Sequence, residues 1–389
     1  MRTHRPSSIQ YAPRRHVSGA ATADGSPFSL GSIHAAMRKC SPHLRRVYNL
    51  SLAAHPTQRE AVLRAIGMDM QDIRQYPHAL LLEDAKIQVF SDHITEVLLR
   101  QGINPAEIHE LIECGSGLGS ITDQMEILAT MQCADVPCFP RALDVIPGHE
   151  GSMVVGRLEG KLIFALKGRV HCYQGLEPFE TVRPLRAIER ATDLRRVVLT
   201  NAAGFTNRTL VGRTTLKVGD IVLIHDFINL TGRSALLGPN LSPIGERFVP
   251  MLYSSQTQLF QEVQEAAREN DGIIPAGTYV CMPGPEYETP STIDYIRIIR
   301  GAEVGMSTVF GIVALEHINS GRRAINEALD MLMLPPGQPP IQMIALSSIT
   351  NAGAGLSTAH PCHKDVEKVA RQNAEKIFRI YRTLLRRAA

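Results

Sequence analysis

Arg169, His171 and Tyr173 stand at alternate positions of Gly168-Arg169-Val170-His171-Cys172-Tyr173, so an extended backbone would turn all three the same way. A guanidinium offers phosphate a planar fork, an imidazole adds a donor, and a phenol can reach a sugar hydroxyl. Cys114-Gly115-Ser116-Gly117-Leu118-Gly119 is a second anion candidate, because glycines expose backbone N–H groups and Ser116 adds a hydroxyl. It lacks the GK[ST] of a triphosphate loop and completes no dinucleotide fingerprint, so alone it reads first as a structural turn. Thr200-Asn201-Ala202-Ala203-Gly204 frees its amides by having small side chains, the Ala202 amide among them. Tyr287 and Glu288 set an aromatic face beside a carboxylate, Met306 and Ser307 a thioether beside a hydroxyl, and Asn351 offers a carboxamide. His149, after Pro147-Gly148, and His363 are further histidines. Each segment also has an ordinary reading as turn chemistry. Together they suit phosphate (Ser116, Arg169, His171, Ser307), a sugar face (Tyr173, Met306) and a heterocycle edge (Glu288, Asn351).

Short apolar runs precede most of these groups: 108–115, 161–168, 196–204, 219–230, 277–285, 302–308 and 341–351. Runs apolar on both faces predict central strands covered by helices on each side. Ile87, Phe90, Ile94, Val97 and Leu98 mark an amphipathic helix over 83–100. Val366, Val369, Ala370, Ile377, Phe378, Tyr381 and Leu384 mark a closing helix over 364–387. The fold class is α/β: a single large domain, 83–389, with a central mixed sheet flanked by helices. Ligands of such sheets gather at strand carboxyl ends, where the candidate groups stand. Residues 205–216 and 318–340 read as insertions, the second as a surface excursion around PPGQPP.

The chain has 389 residues, 44% hydrophobic and 20% charged, with a formal charge of +3. No run approaches the roughly 18 uninterrupted apolar residues of a membrane-spanning helix. Seven cysteines without CxxC spacing fit a reducing compartment better than a disulfide framework or a zinc site. Basic charge concentrates at the start: Arg2, Arg5, Arg14, Arg15, Arg38, Lys39, Arg45 and Arg46 face one acid, Asp24, within residues 1–50. Residues 1–82 therefore read as a solvated extension, with a mitochondrial address or a contact to an acidic surface as alternatives. The remainder is slightly acidic, which argues against a nucleic-acid partner. Cytoplasmic placement is the expectation.

In order along the chain, GSGLG, PGH, GRxHxYxG, TNAAG, GERF, GTYVxxPGPEYET, VGMST and SITNAGAG resemble the trimeric purine nucleoside phosphorylase family, related to the 5′-methylthioadenosine phosphorylases. The resemblance implies a pentosyltransferase of purine salvage, splitting purine ribonucleosides with inorganic phosphate. It implies phosphate contacts from Ser116, Arg169, His171, Ala202 and Ser307, with His149 near the phosphate mouth. Tyr173, Met306 and His363 would contact the ribose; Tyr287, Glu288 and Asn351 would hold the purine. His171, Glu288 and Asn351 would carry the chemistry. Phe248, in GERF, matches an aromatic that members lend to a neighbouring subunit, so a homotrimer is implied. No metal or organic cofactor is implied, and phosphate is a co-substrate.

Asn351 stands where the methylthioadenosine branch usually has aspartate, which favours inosine and guanosine. A 5′-methylthioadenosine phosphorylase, or a catalytically weak nucleoside- or phosphate-binding protein, are the alternatives. The chain also departs from the family pattern: after VGMSTV it reads Phe310-Gly311 where the pattern usually has Pro-Glu.

Overall fold

In the computed structural model, Glu110–Cys114 forms strand β1, and all five of its residues are buried. The structure describes residues 77–141, 151–206, 216–238, 240–241, 244–251, 253, 258–270, 272–331, 335–358 and 363–387. Strands β2 (Glu126–Gln132), β3 (Ser152–Leu158), β4 (Lys161–Lys167), β5 (Arg196–Phe205), β6 (Ile221–Asn229), β7 (Ala276–Cys281), β8 (Glu303–Gly305) and β9 (Gln342–Ala352) complete one sheet. Its order is β2-β3-β4-β1-β5-β8-β7-β6-β9, and β9 also pairs with β5. That extra pairing closes β5, β8, β7, β6 and β9 into a barrel continuous with the open part of the sheet. The sheet is mixed as expected. Its closure was not legible in the apolar runs, because it depends on pairings between residues about a hundred or more positions apart.

Helices cover both faces. On one side pack α1 (Pro77–Arg100), the short α2 (Pro178–Thr181), α3 (Arg183–Ala191) and α6 (Val309–Met331). On the other lie α4 (Gln258–Asn270) and α7 (His363–Arg387), while α5 (Pro290–Ile298) caps the barrel strands β7 and β8. The predicted stripe of α1 is the buried one: Ile87, Phe90, Ile94 and Leu98 are all fully enclosed. Two ion pairs lock α1 to α3. Glu83 takes a bidentate grip from Arg183 at 2.7 and 2.8 Å, and Asp84 meets Arg190 at 2.7 Å. Because α1 begins at Pro77, the last six residues assigned to the extension belong to the domain's first helix. Residues 1–76 lie outside the described residues.

The excursion expected over 318–340 is corrected. Its first part is the middle of α6, with Ile318, Asn319, Ser320 and Arg322 buried. Arg322 is held by Glu189 at 2.9 Å and by the carbonyls of Leu194 and Pro339. A helix enclosed on most sides shows little amphipathic contrast, so periodicity did not reveal it. The last turns of α6, with Ile325 and Met331, and the segment around Gly337 are exposed, and the latter is tied back by Asn326, whose Oδ1 accepts from Gly337 N at 2.7 Å. Of the other expected insertion, Phe205 and Thr206 are buried parts of the fold, and 207–215 lie outside the described residues.

Candidate functional site

The glycine loop after β1 lies against β5 and the loop after β4. The Thr200 hydroxyl donates to the Glu113 carbonyl at 2.8 Å and accepts from Gly115 N at 3.1 Å, pinning the loop to β5. Space there is tight. A Cβ on Gly115 would stand 2.7 Å from the Thr200 carbonyl oxygen and 2.8 Å from Arg169 Nη2, so only glycine fits. Arg169 itself is held from three sides: Nη1 donates to Glu113 Oε2 at 3.1 Å and to Thr308 Oγ1 at 3.4 Å, and Nη2 donates to the Thr200 carbonyl. Its Nε is buried and has no hydrogen-bond partner. A buried, fixed guanidinium with a spare donor is suited to an anion.

His171 and Tyr173 reach the same space, though not by strand alternation. β4 ends at Lys167, and Cys172–Gln174 forms a 3-10 turn with His171 as its N-cap. Gln174 turns back to accept from His171 N at 2.8 Å, and Gly175, at φ 86°, closes the turn. The His171 and Tyr173 rings stack, centroids 4.8 Å apart and 9° from parallel. Burial pushes the Tyr173 phenol up to about 12, so it stays a neutral donor and acceptor at ordinary pH.

These residues line a cavity of about 100 Å³. Ser116, Arg169, His171, Ala202 and Ser307, the expected anion group, line it together with Tyr173, Met306, Tyr287, Glu288 and Asn351. A neighbouring cavity of about 280 Å³ shares Ser116 and Arg169 and adds Lys167, a cation that sequence reasoning passed over. β1, β4, β5 and β9 deliver their residues from carboxyl ends. β7 and β8 run the opposite way, and reach the cavity because β8 pairs with only the last two residues of β5, beyond a bulge at Ala203/Gly204.

Burial raises the Glu288 carboxyl above the usual carboxylate range. Asn351 lies over Gly204, where a Cβ would come within 2.8 Å of its Nδ2. Thr350 Oγ1 donates to Asn351 Oδ1 at 3.0 Å, and Nδ2 donates to the Ala352 carbonyl at 3.2 Å, so the carboxamide is oriented before any ligand arrives. Between β8 and α6, Thr308 adopts φ 70°, an uncommon conformation for a β-branched residue. It holds the Thr308 hydroxyl where both Arg169 and Asn201 Nδ2 can donate to it.

Three expected site residues are not brought together by the described chain. His149 lies outside the described residues. His363 opens α7 three residues before Val366, which lines the cavity. Phe248 is 87% exposed and does not line the cavity.

The profile of the phosphorylase superfamily matches residues 111–317. Purine nucleoside phosphorylase 1 of Bacillus subtilis is 31% identical over 255 residues, covering 66% of this chain and 83% of that protein. The chain belongs to the purine nucleoside phosphorylase family. The bovine purine nucleoside phosphorylase is 33% identical over 209 residues, covering 52% of this chain and 69% of that one. In three dimensions, a purine nucleoside phosphorylase of Schistosoma mansoni in complex with adenosine superposes with a TM-score of 0.64 at 27% identity. That likeness covers 78% of this chain and 97% of the other. A Schistosoma purine nucleoside phosphorylase in complex with guanosine gives 0.62 at 26%, over the same shares. The family profile ends before Asn351 and α7; the likeness in fold is broader.

Proposed function

We propose that this enzyme cleaves 6-oxopurine ribonucleosides, inosine and guanosine, with inorganic phosphate, giving the free purine and ribose 1-phosphate. The observation that carries this reading is that Ser116, Arg169, His171 and Ser307 line the same cavity as Glu288 and Asn351. Breaking the bond between N9 and C1′ leaves positive charge on the sugar and negative charge on the departing base, as in other oxocarbenium-like chemistry. A phosphate held by Arg169, His171, Ser116 and Ser307 stabilises that cation, and one of its oxygens then bonds to C1′. Positioning the two reactants is the protein's main contribution. Tyr173 and Met306 flank the ribose between them.

A 6-oxopurine presents N1–H as donor and O6 as acceptor. Glu288 accepts from N1–H, and the Asn351 amide donates to the O6/N7 edge as charge gathers there. Such a contact strengthens in the transition state, and losing it costs about 3 kcal/mol, roughly a hundredfold in rate. No step calls on a metal or organic cofactor. An aromatic ring as exposed as Phe248 is what a site completed by a neighbouring subunit needs, which supports a homotrimer. The test is the sugar product formed from inosine with and without phosphate. Ribose 1-phosphate formed only when phosphate is present is the expected result; equal cleavage without phosphate refutes the reading.

A further inference from the structure

Glu113 is an anomaly of the buried strand β1. Its place in the strand alternation is that of Leu111, on the face covered by α1, α3 and α6; its side chain is only 10% exposed, and a carboxylate in such a place is unfavourable unless paired. Its partner is Arg169, itself 8% exposed, at 3.1 Å. Phe310 and Gly311, in the first turn of α6, line the same small cavity of about 30 Å³ as Glu113 and Arg169. A helix start also favours a negative charge.

Gly311 is the position where the motif resembled by this chain usually carries glutamate, and the structure shows room at its root. A Cβ there would meet only the Leu199 and Leu185 methyl groups, at 3.4 and 3.9 Å. A glutamate at 311 would therefore open onto the space that Glu113 already fills. A cavity of about 30 Å³ holds a water or two, not a second carboxylate.

We propose that Glu113 is the positioning residue of the phosphate-binding Arg169, and that Gly311, by having no side chain, leaves the Glu113 carboxylate its place beside that arginine. Glu113 occupies one Nη1–H; Thr308 and the Thr200 carbonyl hold the rest of the guanidinium in place. The Nε–H and the remaining Nη2–H are then presented as a fixed edge to the anion. The inference rests on the phosphorolytic reading above.

The test is a two-site cycle in the full-length protein, with KM measured separately for phosphate and for inosine. Glu113→Ala is expected to raise the phosphate KM about tenfold to a hundredfold, the range for a lost hydrogen bond to a charged group, with the inosine KM within about twofold. Gly311→Glu alone is expected to weaken phosphate use by crowding two carboxylates around one arginine. Glu113→Ala with Gly311→Glu is expected to recover most of the phosphate KM. Glu113→Gln, which keeps the side-chain volume, replaces Glu113→Ala in the cycle if the alanine variant does not fold. An unchanged phosphate KM in the Glu113 variant, equal rises in both KM values, or a double variant no better than the product of the singles would overturn the proposal. Wild-type cleavage that ignores phosphate would instead fail the phosphorolytic reading itself.

Discussion

Glu303 begins β8, opposite Phe205 on β5 and Tyr279 on β7, with no exposed surface. Neither carboxyl oxygen has a hydrogen-bond partner. Burial pushes its carboxyl up to about 8 from the ordinary 4.5, with the nearby Ser347 hydroxyl acting in the opposite direction. Between those two pH values the folded chain keeps a proton that the unfolded chain releases. Stability from this group is therefore full below pH 4.5, falls as pH rises through that window, and levels off above pH 8. Glu303→Gln removes the titration and preserves the shape. At about 1.4 kcal/mol per pH unit, the variant's stability relative to wild type should grow by about 4 kcal/mol between pH 5 and 8. For a chain of this size that widens the difference in Tm by roughly 5 °C. Thermal unfolding of both proteins across that range reads the difference directly. Parallel curves of Tm against pH would refute the argument that Glu303 folds in its neutral form.

Three further outcomes follow from the site. Asn351→Asp should shift preference from inosine toward adenosine-type purines, because a carboxylate accepts where a 6-amino group donates; unchanged selectivity in competition assays would remove Asn351 from base recognition. Gly115→Ala pushes a methyl group against the Thr200 carbonyl and Arg169, and should raise the phosphate KM at least about tenfold while sparing purine binding. A variant with wild-type phosphate KM would show that the loop does not set Arg169. Since Glu288 accepts a proton at higher pH than an ordinary carboxyl, kcat/KM for inosine should decline on acidification with a limb above the usual carboxylate range. The same limb persisting in Glu288→Gln would assign it to another group.

Sequence reasoning reached much of this because apolar runs such as Leu162–Ala165 and Val197–Leu199 are buried on both faces and point to central strands directly. It passed over β2 and β3 for a physical reason. β2 is an edge strand with mostly exposed residues, and β3 carries Gly156 and Arg157, so neither reads as an apolar run. The convergence of Arg169, His171 and Tyr173 was legible, but the 3-10 turn that achieves it depends on Gln174 reaching back to His171 N. Residues that hold other residues were the least visible. Glu113 in Leu-Ile-Glu-Cys shows as a charge inside an apolar run, yet its partner lies 56 positions away. Thr308 discloses its role only through a backbone angle.

Phosphorolysis by this chain requires an anion and a flat base to share one cavity. A crystal structure grown with phosphate and hypoxanthine tests this most directly. Phosphate should lie within hydrogen-bond distance of Arg169 Nε and the Ser307 hydroxyl, and the purine edge against Glu288 and Asn351 in the same enclosure. Phosphate and purine found in separate cavities would contradict it.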